Sequence, residues 1–161
     1  MSIHDFALFG RIALSAGLGF LIGWEREVRG RPAGARTFAL VCGGSGALTV
    51  ISIDAFPTAA EKLIAGIVSG IGFIGAGLVL RDNVGHLRGL TTAAALWAVA
   101  SIGIMTGVGR FILATCTTLL VLFVLEFHAI PLLRHLDAQR WSSHFAKESE
   151  RPSKAKTTAQ S

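Results

Sequence analysis

Apolar runs close to the length that crosses a bilayer, about 17–25 residues, recur along most of this chain, and that repetition leaves few folds open to it. The runs are Phe6–Trp24, Phe38–Phe56, Leu63–Leu80, Leu90–Met105 and Phe111–Phe127. The fourth is short and carries Thr91 and Thr92 near its start, which places its beginning below the surface, against protein rather than lipid. Only 16% of the 161 residues are charged, against about 25% in a soluble domain, so a water-soluble fold would lack the polar surface to cover itself. In lipid, backbone N–H and C=O groups must be satisfied within the segment, which makes each run a helix. The expected fold is an all-α membrane protein, a compact bundle of five transmembrane helices over residues 1–130.

The charges give that bundle an orientation. The net charge is +5 and the pI near 10.0, which by itself could suggest nucleic acid. The basic residues instead follow alternate loops: Arg26, Arg29, Arg31 and Arg36 after the first run, Arg81 and Arg88 after the third, Arg134 to Lys156 after the fifth. Of the 15, the three others are Arg11, Lys62 and Arg110, on the opposite side beside Asp5, Asp54 and Glu61. By the positive-inside rule the N-terminus is expected outside and the C-terminus in the cytoplasm. No nucleic-acid partner is expected.

Between Ser69 and Gly77 the sequence SGIGFIGAG contains Gly70, Gly72 and Gly75 in the G-x-G-x-x-G spacing of a dinucleotide-binding turn. That motif works only between a strand and a helix, with an acidic residue about 20 positions on. Here the preceding residues are a continuous apolar run, and no carboxylate lies near Ala95. A packing role fits better, because helices in lipid associate through small residues that let backbones approach. Gly66, Gly70 and Gly77 form one face of the third run, Gly72 and Ala76 another, and Gly19 and Gly23 repeat the four-residue spacing in the first. This reading puts the third helix at the centre of the bundle. The fourth is expected to pack through Ala94, Ala98 and Ser101, and the bulky fifth to sit at the periphery.

Residues 131–145 read as an interfacial amphipathic segment, and the polar residues 146–161 as a disordered cytoplasmic tail. The N-terminus lacks the basic start of a secretory signal and reads as a retained first helix. Cys42 and Cys116 stand alone inside apolar runs, so buried thiols are expected rather than a disulfide or metal site. No cofactor is expected. The histidines are scattered and no Ser/His/Asp set or carboxylate pair is evident, so enzymatic activity is not expected either.

Two polar segments carry the functional expectation. In GWEREVRGRPAGARTF, residues 23–38, Glu25 and Arg29 have the favourable order for a helical i,i+4 ion pair, with Pro32 and Gly34 ending the helix. Glu25, Arg26 and Arg36 are expected to form a charge network at the inner ends of the first two helices, with Thr37 in the same segment. In RGLTTAAALW, residues 88–97, Thr91 and Thr92 are open to two roles: capping the fourth helix after a turn at Gly89, or presenting hydroxyls as part of a functional surface.

IGWEREVRGRPAGART, IVSGIGFIGAG and GLTTAAALW, in that order and spacing, resemble the membrane domain of the MgtC/SapB family of bacterial inner-membrane proteins, over about residues 10–125. The resemblance implies a protein of the inner membrane linked to growth in low magnesium, envelope stress and virulence. It also implies a regulatory action through another membrane protein, the membrane sector of ATP synthase in the best-known members. Long members add a soluble domain after the fifth helix, and any sensing done there is expected to be absent here. Lys62 stands where the family pattern usually has Arg, Gly66 where Gln is frequent and Ala35 where Leu is common.

An ion carrier is the alternative. A Mg²⁺ path needs hard oxygen ligands along its length, whereas Glu25, Glu27 and Asp82 lie toward one face and Asp54 and Glu61 toward the other. Arg11, the deepest charge, is expected to snorkel outward. A regulator needs only a shaped surface and is preferred, its partners being the lipid bilayer and a membrane protein, with self-association left open.

Overall fold

The structure, a computed structural model, describes residues 3–81 and 87–126. The segments expected at 131–145 and 146–161, with Asp82 and His86, lie outside them. Five helices follow one another: α1 (Ile3–Val28), α2 (Ala35–Ala55), α3 (Ala60–Leu78), α4 (Leu90–Val108) and α5 (Phe111–Glu126). A single 3-10 turn, Pro57–Ala59, leads into α3, and two short antiparallel strands, β1 (Leu80–Arg81) and β2 (Leu87–Arg88), flank the α3–α4 connection with Leu80 opposite Arg88. Four of the helices are long and apolar enough to cross a membrane; α5, at 16 residues, is shorter.

Glycines set the helix ends. α1 closes at Gly30, whose φ of +62° places it in the left-handed region, and not at Pro32 or Gly34. The Gly30 N–H donates to the Glu27 carbonyl (2.9 Å) and the Arg31 N–H to that of Arg26 (3.0 Å), the paired 5→2 and 6→1 bonds of a Schellman motif. α4 ends in the same way at Gly109, with Gly109 bonded to Thr106 and Arg110 to Met105. At its other end Gly89, with φ +87°, is the N-cap, and a side chain there would collide with the Leu78 carbonyl.

The core lies where α1, α2 and α4 meet. Ile22, Phe38, Cys42, Leu96, Val99 and Ile102 are fully enclosed there. The backbones approach so closely that a Cβ on Gly19 would come within 2.5 Å of Cys42 Cβ and the Phe38 carbonyl, and one on Gly23 within 2.6 Å of Ala35 Cα. On α4, a Cβ on Gly103 would strike the Cys42 carbonyl, and one on Gly107 would lie 2.7 Å from Thr49 Cβ. Gly103 and Gly107 have the same four-residue spacing as Gly19 and Gly23. The buried face of α4 runs through Thr92, Leu96, Val99, Gly103 and Thr106, whereas Ala94 is exposed and Ala98 and Ser101 are half-buried.

This arrangement corrects the expectation of a central third helix. Half of the spanning stretch of α4 and 44% of that of α2 are buried, against 17% for α3. A Cβ on Gly66, Gly70, Gly72 or Gly77 would meet nothing within 4 Å. The buried face of α3 is Ile67, Ile71 and Gly75, packed with Ala100 and flanked by Val41 of α2 and Ile104 of α4; Gly66, Gly70, Gly72 and Gly77 are exposed on its other faces. α5 sits at the edge, burying Ala114 and Thr118 while Ile112, Leu119 and Phe123 stay exposed.

Candidate functional site

At the end of the bundle that carries the arginine-rich connections, the last turn of α1 meets the first turns of α2 and α4. Arg26 is 96% buried, its side chain running between helices, and its Nη2 donates to Thr92 Oγ1 at 3.0 Å. This bond joins residues 66 apart in sequence. A charge-assisted bond of this kind contributes roughly 1.5–3 kcal/mol. It also defines the role of Thr92: the helix N-terminus makes no side-chain cap bond, so the threonine hydroxyl serves the arginine instead. Thr91, one residue earlier, is exposed beside it.

Glu27 supplies what α2 lacks. The N-cap of α2 is Gly34, which has no side chain to satisfy the first orphan N–H groups. The Ala35 N–H donates instead to Glu27 Oε2 at 2.9 Å, and the negative charge suits the positive end of the helix dipole. A Cβ on Gly34 would lie 2.6 Å from that same oxygen, so the glycine keeps the space open. The sequence places Glu27 among the charges of this segment without giving it a partner; the signal for its role is an acid in the last turn of α1, followed by a glycine at the next helix start.

Glu25 is largely enclosed, its side chain 11% exposed, and Arg29 Nε lies 2.6 Å from its Oε1, the i,i+4 pair the spacing predicts. Neither carboxylate oxygen has a hydrogen-bond partner among the described residues, so Arg29 holds Glu25 by charge. Arg26 Nε is likewise buried without an acceptor. The junction thus keeps Glu25 Oε2 and Arg26 Nε shielded without a hydrogen-bond partner among the described residues, while Glu25 Oε1 is held in the ion pair with Arg29.

The expected network is therefore regrouped. Glu25, Arg26 and Thr92 gather at the α1–α4 contact, and Glu27 rather than Arg36 ties α1 to α2. Arg36 is exposed and makes no hydrogen bond or ion pair among the described residues, and Thr37 is half-buried in the first turn of α2. Arg11, at the other end, does not simply reach outward. Its Nη1 donates to the Gly107 carbonyl at 3.1 Å, satisfying an orphan carbonyl at the C-terminus of α4, where a cation is favoured. Nearby, His4 Nε2 and Asp54 Oδ1 stand 3.5 Å apart.

The MgtC family model matches residues 12–130. Protein MgtC of Salmonella typhimurium is 46% identical over 105 residues, covering 65% of this chain and 45% of its own. Protein MgtC of Brucella abortus is 41% identical over 128 residues, 76% of this chain and 51% of its own. Protein SapB of Bacillus subtilis is 36% identical over 126 residues, 73% of this chain and 54% of its own. The chain thus spans about half the length of the curated relatives it matches. No solved structure matches it. By the match to the family model, over about three quarters of its length, the chain belongs to the MgtC family.

Proposed function

We propose that this is a regulatory, stress-adaptation protein of the bacterial inner membrane that acts by binding another membrane protein, with its arginine-rich end in the cytoplasm and α5 as a fifth span. The observation that carries the reading is the Arg26–Thr92 bond, which draws the two polar segments singled out in the sequence into one surface and leaves Thr91 exposed next to it. A surface braced from within by a buried arginine is suited to docking, because its shape is set before a partner arrives. The carboxylates Glu25 and Glu27 sit at one end of the bundle, and Asp54 and Glu61 at the other. A ladder of carboxylates through the membrane, the mark of a cation path, is not how they are arranged.

The family resemblance suggests the membrane sector of ATP synthase as the partner and growth in low Mg²⁺ as the phenotype. The test is capture from native membranes in a mild detergent with identification of what is retained, beside Mg²⁺ flux in proteoliposomes. The reading expects a retained membrane protein whose capture weakens in Thr91→Val, and no flux above empty vesicles. Saturable Mg²⁺ flux with nothing captured would replace it with a carrier.

A further inference from the structure

The open face of α3 and the displaced Arg36 belong to one feature. Between α2 and α3 lies an apolar groove of about 590 Å³. Its α2 wall is the stripe Leu40, Gly44, Leu48 and Ile51, and Gly66 and Gly70 contribute to its α3 wall. These two helices are long and apolar enough to cross a membrane, so the groove runs through the depth of the hydrocarbon. The Ser52 hydroxyl in its lining is engaged within α2, its Oγ–H donating to the Leu48 carbonyl. A Cβ on Gly44, Gly66 or Gly70 meets nothing within 4 Å, so the space along these glycines is vacant of protein.

The α2 stripe continues one turn toward the arginine-rich end. Arg36 precedes Leu40 by four residues, the spacing that stacks side chains on one helix face. It is exposed and without an ion pair among the described residues, and the neighbouring carboxylate of Glu27 is engaged by the Ala35 N–H. The four-residue spacing sets a guanidinium one turn beyond the Leu40 end of the slot, where a phospholipid with an acyl chain in the slot would carry an anionic headgroup.

We propose that the α2–α3 groove is a binding site for an anionic phospholipid of the leaflet at the arginine-rich end, one acyl chain lying along Gly44, Gly66 and Gly70 and the phosphate on Arg36. The two halves of the site are separable. The chain is held by shape, the headgroup by charge, which is worth about a fivefold preference for one arginine near the membrane surface.

The experiment uses the full chain in a mild detergent, titrated with phosphatidylglycerol or phosphatidylcholine of identical acyl chains and read by native mass spectrometry. Wild type is expected to retain phosphatidylglycerol about fivefold better than phosphatidylcholine. Arg36→Gln should bring the two lipids to equal retention, and Gly70→Leu should abolish both while the thermal transition stays in place. Gly44→Leu fills the slot from the opposite wall and serves if Gly70→Leu does not fold. Equal retention of the two lipids by wild type would overturn the proposal, as would undiminished retention in the filled variants. So would a lipid-free dimer cross-linked through Gly66→Cys, which would give the groove to a second copy of the chain.

Discussion

Two glycine patterns of the same spacing have opposite fates in this molecule. Along the contact of α1, α2 and α4, Gly19, Gly23, Gly103 and Gly107 sit against neighbouring backbone, with no room for a methyl group. Along α3, Gly66, Gly70, Gly72 and Gly77 have open space where a side chain would go. The difference comes from what faces them. Gly19 and Gly23 look onto Ala35, Phe38 and Cys42, and Gly103 onto Ser45 and Gly46, mostly small residues or bare backbone, so the helices can close. α3 instead meets its neighbours through Ile67 and Ile71, packed with Ala100, Val41 and Ile104, which leaves Gly66, Gly70, Gly72 and Gly77 exposed. Small-residue spacing permits close approach in lipid; the facing helix decides whether it happens.

The sharpest way to break this comparison is to load both sets with the same side chain. Gly103→Leu or Gly23→Leu should cost about 3 kcal/mol or more, the upper range for overpacking, and appear as loss of folded protein on size-exclusion chromatography. Gly70→Leu and Gly77→Leu should stay within about 0.5 kcal/mol of wild type, as for an exposed substitution. Comparable damage in both sets would put α3 back at the centre of the bundle.

Next in size is the polar junction. Thr92→Val keeps the shape of the side chain but leaves the buried Arg26 without its acceptor, and should lower stability by roughly 1.5–3 kcal/mol, measured as a fall in the detergent melting transition. Arg36→Gln, outside that junction, should leave the transition unmoved. At the opposite end, Arg11→Gln removes the cation from the α4 C-terminus and should cost about 0.3–2 kcal/mol, read in the same transition. One substitution should be a gain: Ala33 has a φ of +63°, and Ala33→Gly should relieve about 1 kcal/mol of left-handed strain.

The helices were legible because a span needs only a long apolar run, and their placement against the charge pattern needed only loops. What the sequence could not rank was which glycine stripe closes, since Gly103–Gly107 and Gly66–Gly70 are equivalent as strings and differ only in their neighbours. The end of α1 was legible in principle, as Gly30 precedes Pro32 by two residues, the ordinary order of a C-terminal glycine and a following proline. Within the junction, Glu25–Arg29 follows from local spacing, but Arg26–Thr92 depends on how α1 and α4 are each drawn onto α2 by their glycines. Arg36 was grouped by proximity in sequence with Arg26, yet the turn at Gly30 and the start of α2 carry it to a different face.

The central claim is that one threonine of the pair braces the junction and the other belongs to its working surface, and paired substitutions test it. Thr91→Val and Thr92→Val should be expressed side by side, with folded abundance and capture of the proposed membrane partner measured on the same samples. The account predicts normal abundance with weakened capture for Thr91→Val, and reduced abundance for Thr92→Val with capture falling only in proportion. Normal capture by Thr91→Val at normal abundance would contradict it.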